Sequence, residues 1–264
     1  MRVAGLRNDI FDRRLIQQRQ RHQELEAGGG VGRIDDAEPR FVGRKEIDHA
    51  GGAFGDGQGP IVVGRDADLA QQLDRAQALI FTPRRLMPTH PESQAIKDFR
   101  YNAYFGQNQI PKIDGASYKL NLSGLIDRRA AWTLQDLYQL PQESQVTRHV
   151  CVEGWSMIGK WTGVPFRTFL QRIGADLTAK YVGFECADGY YSSIDMASAL
   201  HPQTFLTLKI SDEILAPRYG YPLKLRIPTK LGFKNPKWIT AIFVTNRFPG
   251  GFWEDRGYNW FAGV

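Results

Sequence analysis

The sequence predicts an α+β domain over residues 87–264, built of mixed strands and short helices and preceded by a segment of low order. Three observations predict it. Apolar and polar residues alternate in short runs from Tyr118 onward, which is the period of half-buried strands. Short helix signals fall between these runs without the strict βαβ rhythm or the glycine fingerprint of a dinucleotide fold, so a doubly wound parallel sheet is not expected. The composition also changes sharply near Leu86. Residues 1–86 hold 12 of the 27 glycines, 13 Arg against one Lys, and no Trp or Tyr. Residues 87–264 hold 10 Arg, 10 Lys, all six Trp and all ten Tyr.

Taken in order, Tyr118–Leu125 alternates cleanly and is a strand. Thr133 is placed to cap a helix over Leu134–Gln139, which Pro141 follows. Val146–Val152 is a strand that runs into Glu153-Gly154. Pro165 sits at the first turn of a helix reaching Arg172, and Gly174 closes it. Lys180–Cys186 is a strand followed by the turn Ala187-Asp188-Gly189. Ser193–Leu200 reads as a short helical turn, and Phe205–Ile210, Leu223–Ile227 and Lys237–Thr245 read as strands.

The first 86 residues carry only four aromatics, Phe11, Phe41, Phe54 and Phe81. A segment so poor in large apolar groups buries too little to offset its ordering entropy. Ala27–Gly64 is expected to be disordered, and Ile10–Leu25 and Asp66–Leu79 to form short polar helices. The shift in Arg/Lys usage also fits a translation start placed upstream of the biological one.

A chain of 264 residues and 29.9 kDa suits one large domain or two small ones. Its net charge of +6 and pI near 9.3 favour anionic partners, and fit a bound phosphate as well as nucleic acid. No run is long and apolar enough to span a membrane. Arg13-Arg14 and Arg84-Arg85 are not followed by an apolar stretch, so neither reads as a twin-arginine export signal. Two cysteines, Cys151 and Cys186, make no disulfide framework.

Three stretches can carry chemistry. Cys151 ends a strand just before a turn, where a thiol can point into a cleft as ligand or nucleophile, or lie buried as a structural residue. No Cys-x-x-Cys accompanies it, which argues against a zinc site or a redox pair. His149 shares its strand face, so a Cys–His nucleophile pair stands beside the reading of a partly exposed strand histidine. Lys224 to Trp238 concentrates four lysines and Arg226 around Gly232 and an Asn-Pro step, which suits a phosphate or a solvated basic edge. Phe99 to Gly106 sets Asn102 among aromatics, as either a loop closing over a ligand or plain surface.

In this order the stretches resemble the molybdopterin-binding domain of the sulfite oxidase superfamily, on the side of the methionine-sulfoxide reductases. The motifs are Cys151-Val-Glu-Gly-Trp155-Ser156-Met with Trp161-x-Gly163-x-Pro165, Ala179-Lys-Tyr-Val-Gly-Phe-Glu185, Gly220-Tyr-Pro222-Leu-Lys-Leu, and Gly232-Phe-Lys-Asn-Pro-Lys237. The likeness covers about residues 86–264. It implies a sulfite oxidase-type fold and one pterin with one molybdenum per chain, Cys151 being the protein's ligand to the metal. A soft thiolate suits a metal already bound by sulfur. The implied pterin contacts are Asn102, Phe105, Gly106, Cys186 in a place usually held by threonine, Tyr219 in place of asparagine, Lys224 in place of arginine, and Asn235, Pro236 and Lys237 at the phosphate end.

The resemblance further implies two-electron oxygen-atom transfer on a small substrate. The arginines that sulfite oxidases carry shortly after the ligand cysteine are replaced here by Ser156 and Met157, which favours a sulfoxide over sulfite. Tyr191, Trp155 and Trp253 are candidates for the pocket mouth or for the core. The sequence stops soon after Trp260, without an immunoglobulin-like dimerisation domain, so a monomer is expected. Without a haem motif, electrons are expected through a separate partner, in the reductase systems a membrane haem protein. No nucleic acid is expected. The resemblance places the protein in the periplasm, and the missing export signal in the cytoplasm if this N-terminus is genuine. The rival reading is a non-catalytic module that binds an anion or nucleic acid around a buried structural cysteine.

Overall fold

A computed structural model describes residues 85–264, together with the helical residues Gln72, Ala76 and Gln77. The expected disorder of Ala27–Gly64 and helix over Ile10–Leu25, and the rest of Asp66–Leu79, lie outside the described residues. The chain divides into two compact units: residues 52–102 with 107–264, and residues 1–51 with 103–106. In the second, Tyr104 and Phe105 are half-buried and meet edge to face, ring centroids 5.0 Å apart, beside the exposed Gly106.

The larger unit is α+β, with two five-stranded sheets. Strand β1 (Lys119–Gly124) runs parallel to β10 (Ile239–Thr245) and pairs on its other edge with the short β2 (Trp132–Thr133). β10 pairs antiparallel with β5 (Tyr181–Cys186), and β5 with β6 (Tyr191–Asp195). In the second sheet β3 (Glu143–Val150) pairs with β4 (Ser156–Pro165), and β4 with β7 (Phe205–Ile210). The far edge of β7 is shared by β9 (Lys224–Arg226) and β8 (Glu213–Ile214). Alternation in β1 buries Leu120 and Leu122 and turns Lys119 and Asn121 outward.

Three short helices, α1 (Leu134–Tyr138), α2 (Phe166–Arg172) and α3 (Met196–Ala199), cover the sheets. Thr133 opens α1 with a capping box: its side chain accepts from Asp136 N, and the Asp136 carboxylate accepts from Thr133 N. Helix α2 buries Phe166, Phe169, Leu170 and then Ile173, the i, i+3, i+4, i+7 stripe of an amphipathic helix. Each such side chain contributes roughly 1.5–3 kcal/mol by leaving water.

The structure adds a strand at β4, where the motif residues alternate half-buried and buried. It also corrects the helical turn expected over Ser193–Leu200. Ser193 belongs to β6, and the helix begins only at Met196, because Asp195 caps it by accepting from Ser198 N at 2.7 Å. Serine at 193 is held in the strand by tertiary contacts: it donates to Gly250 O and accepts from Trp260 Nε1.

Two crossings bring the chemistry-bearing residues together. β3 delivers Cys151 at its end. The segment between β9 and β10 folds back on β9, with Leu225 N donating to Pro236 O (3.0 Å) and Ile239 N to Leu223 O (3.1 Å). That fold-back sets the short 3-10 turn Gly232–Lys234 beside the end of β3.

Candidate active site

Cys151 follows the last residue of β3 and opens a tight turn. Its N–H donates to Trp155 O (2.9 Å), and Gly154 takes the left-handed conformation at φ +87°. The thiol is buried, with the residue 5% exposed. Asn102 Nδ2 donates to Sγ at 3.1 Å. Burial pushes the Cys151 thiol above its ordinary pKa, while the Glu153 N–H and the Asn102 amide oppose that shift. Both are donors that a thiolate needs once a metal compensates its charge. Among the described residues no group of three His, Cys, Asp or Glu side chains could hold a metal alone.

An open cleft lies next to the buried thiol: Asn102, which donates to Cys151 Sγ, is in its lining, and Cys151 itself is not. Phe99, Trp155, Met157, Trp161, Ile210 and Tyr219 give it apolar and aromatic walls. Asn102, His149, Lys224, Gly232, Asn235 and Lys237 line its polar end, and Arg100 and Arg218 its remaining wall. Arg218 is held by Asp98 at 2.6 Å, and Arg100 lies over the Trp155 ring at 5.5 Å.

The polar end holds buried positive charge. Lys224 (7% exposed) donates to Asn235 O at 3.1 Å, Lys237 donates to Asn102 O, and Arg226 is wholly buried next to both. None of the three forms an ion pair with a carboxylate among the described residues. Burial, the Lys237 charge and the Arg226 charge hold Lys224 well below the usual lysine range. Burial alone brings Arg226 down to about 9, and burial brings Lys237 to about 8 against the opposing pull of Asp188 and Cys186. Uncompensated buried cations are costly, and an anion in the cleft relieves that cost.

The basic segment is therefore not a solvated edge. It also divides in two, which its sequence does not show. Lys230 turns to Asp195 at 3.3 Å and Lys234 to Glu254, both as buried ion pairs, while Lys224, Arg226 and Lys237 face the cleft or its floor.

The other expected site residues are spread unevenly. Tyr219 lines the cleft, but its hydroxyl is engaged by Asp98 Oδ1 (3.0 Å) and Phe99 O (3.1 Å). Cys186 ends β5 opposite Ile239 and is buried outside the cleft lining. Burial pushes its thiol well up, although the Lys224 and Lys237 charges pull it down. Pro236 is buried, with its carbonyl tied to β9. Phe105 and Gly106 fall in the smaller unit. Of the mouth candidates, Trp155 lines the cleft. Tyr191 and Trp253 do not: both pack on Phe252, and the Tyr191 hydroxyl donates to Asp255 at 2.7 Å.

His149 is the clearest correction. It is 7% exposed rather than partly exposed, and it lines the cleft floor. Burial first, then the Arg226, Lys224 and Lys237 charges, hold its ring well below the usual histidine range. Arg100 and Arg218 were missed as cleft residues, and Arg226, named with the basic segment, is wholly buried behind the lining rather than in it. Only the alternation of charged and apolar residues in the strand Leu223-Lys-Leu-Arg-Ile227 hinted that Lys224 and Arg226 share one face.

A single thiol at a strand end, donors aimed at its sulfur, and a cationic cleft reached from it through Asn102 fit a molybdenum–pterin cofactor by donor chemistry. They define an oxidoreductase that carries that cofactor. Residues 107–253 match the Oxidoreductase molybdopterin binding domain, and the chain belongs to this family. A relative from Azospira oryzae, named "Putative protein-methionine-sulfoxide reductase subunit YedZ1", is 61% identical over 187 residues, which is 71% of each chain. The protein-methionine-sulfoxide reductase catalytic subunit MsrP of Campylobacter jejuni is 30% identical over 168 residues, 56% of this chain and 57% of that one. The sulfane dehydrogenase SoxCD from Paracoccus pantotrophus superposes with a TM-score of 0.49 at 20% identity, over 52% of this chain and 40% of its own. By its family the protein is an enzyme rather than a passive anion-binding module.

Proposed function

We propose that the domain holds one molybdenum–pterin cofactor per chain, with Cys151 as the metal's protein ligand, and reduces methionine sulfoxide. The observation that carries this reading is Asn102, which donates to Cys151 Sγ and lines the same cleft as Lys224 and Lys237, two cations without a carboxylate partner among the described residues. When bound, the molybdenum supplies two-electron oxygen-atom transfer.

The chain's own residues do the rest. Lys224 and Lys237 neutralise the phosphate end, with Asn235 and Pro236 shaping the loop that presents them. Lys237 also anchors the Asn102 carbonyl, so one side chain ties the anion end to the residue that touches the thiol. Asn102 and the Glu153 N–H stabilise the thiolate. Cys186 and Tyr219 complete the contacts in this proposal. Trp155, Met157 and Phe99 form the wall for an apolar thioether chain, and the names of the two relatives support methionine sulfoxide as its owner. Electrons come from a separate partner, which the word "subunit" in both names supports; we assign that role to a membrane haem protein, and the compartment to the periplasm.

A Cys–His nucleophile is disfavoured by the site itself. The thiol is pushed up rather than down, and His149 Nδ1 is engaged by Arg226 at 3.4 Å.

The test is elemental analysis and pterin fluorescence on wild type and Cys151→Ala from a cofactor-competent host, with methionine sulfoxide turnover driven by a reduced dye. About one molybdenum per wild-type chain, lost in the variant, together with turnover by wild type alone, is expected. Folded wild type without molybdenum would sink the cofactor assignment; loaded wild type inert toward methionine sulfoxide would sink only the substrate.

A further inference from the structure

Arg226 is wholly buried without a carboxylate partner among the described residues, which packing alone does not explain. Its guanidinium ties together the end of β3, β4 and the anion loop. Nη2 donates to Arg148 O (2.7 Å) and Thr147 Oγ1 (3.1 Å) near the end of β3. Nη1 donates to Asn235 Oδ1 (3.2 Å) in the anion loop and to His149 Nδ1 (3.4 Å). The group lies over the Trp161 ring of β4, 4.9 Å from its centroid. A guanidinium only donates and does so in fixed directions, so these contacts lock geometry rather than charge alone.

The acceptors are themselves fixed. Asn235 Oδ1 also accepts from Ile227 N (2.9 Å), and its amide donates to Leu231 O (3.2 Å). The donation to His149 Nδ1 leaves the ring proton on Nε2. That edge meets Gly232 so closely that a Cβ there would stand 2.8 Å from Nε2, and both residues line the cleft.

We infer that Arg226 is a positioning residue: it sets the spacing between the Cys151 thiol and the Asn235–Lys237 anion loop, and holds His149 with its Nε2 edge against Gly232 in the cleft lining. The inference rests on the molybdenum–pterin reading of that cleft. Lysine in its place keeps a charge but loses the fork, so register between thiol and loop loosens while the fold persists.

The test compares wild type with Arg226→Lys and Thr147→Val. Cofactor-free protein reports folding through its melting temperature. Loaded protein reports molybdenum per chain, its release rate after gel filtration, and the metal's electron paramagnetic resonance spectrum. Arg226→Lys is expected to fold without cofactor, to hold at least fivefold less molybdenum, and to give a shifted, broadened spectrum. Thr147→Val, which removes one acceptor of the guanidinium and none of the proposed cofactor contacts, is expected to release molybdenum about threefold faster. Wild-type loading, release and spectrum in a folded Arg226→Lys overturn the inference. If that variant does not fold, unchanged release and spectrum in Thr147→Val overturn it. Wild type lacking molybdenum instead overturns the cofactor reading and this inference with it.

Discussion

Lys237 shows how one residue reports on its pocket. Burial lowers it to about 8, so in the folded, cofactor-free protein it loses its proton before it would in the unfolded chain. Across the interval between, the unfolded state binds more protons, and stability rises with pH. The rise is expected from about pH 8 to 9. Above that, the thiols of Cys151 and Cys186, which burial keeps protonated in the fold, act in the opposite sense. A bound phosphate holds the ammonium charged and removes the effect. Thermal unfolding of cofactor-free wild type should therefore climb over this window, and Lys237→Met should flatten it. A climb of equal size in the variant would assign it to Lys224 instead, which is shifted the same way.

The turn that carries residues 232–234 is where an element meets the site. Gly232 allows the backbone to lie against His149 Nε2, and the 3-10 turn it opens ends at Asn235, whose N–H donates to Gly232 O at 3.0 Å. Gly232→Ala must displace a buried, hydrogen-bonded ring or shift the turn. The expected result is a loss of roughly 1–3 kcal/mol in cofactor-free stability and a several-fold loss of molybdenum. Thr133→Ala is the contrasting case. It breaks the capping box of α1, far from the cleft, and should cost about 1 kcal/mol with molybdenum content unchanged. Chemical denaturation and metal analysis on both variants separate the two effects, and equal molybdenum loss in both would mean that stability alone governs loading.

On the scale of the whole molecule, one sheet carries the cleft: β3, β4, β7 and β9 supply side chains to it, and the loop between β9 and β10 adds Gly232, Asn235 and Lys237. The family match lies within residues 107–253. We expect a chain of residues 87–264 to fold cooperatively and to load molybdenum at wild-type stoichiometry, as measured by calorimetry and metal analysis. A fragment that folds but stays empty would assign part of the cofactor site to residues 1–86. No helix among the described residues is long and apolar enough to cross a membrane.

The sequence by itself determined the α+β class, the strands β1, β3, β5, β7, β9 and β10 but not β4 or β6, the cap at Thr133, the helix ending at Arg172 that Gly174 closes, and the family through Cys151-Val-Glu-Gly-Trp and Gly-Phe-Lys-Asn-Pro-Lys. Those features are local: periodicity, capping and short motifs are written within a few neighbouring residues. Tertiary structure decided what depends on residues distant in the chain. It turned Lys230 and Lys234 toward Asp195 and Glu254 and left Lys224 and Lys237 facing the cleft. It kept Ser193 in a strand, drew Tyr219's hydroxyl to Asp98, and buried His149 against an arginine 77 positions away. A lysine reads the same in sequence whether its partner is a carboxylate or an open pocket. Only the fold brings the partner, and the partner decides whether that charge is neutralised or left for a ligand.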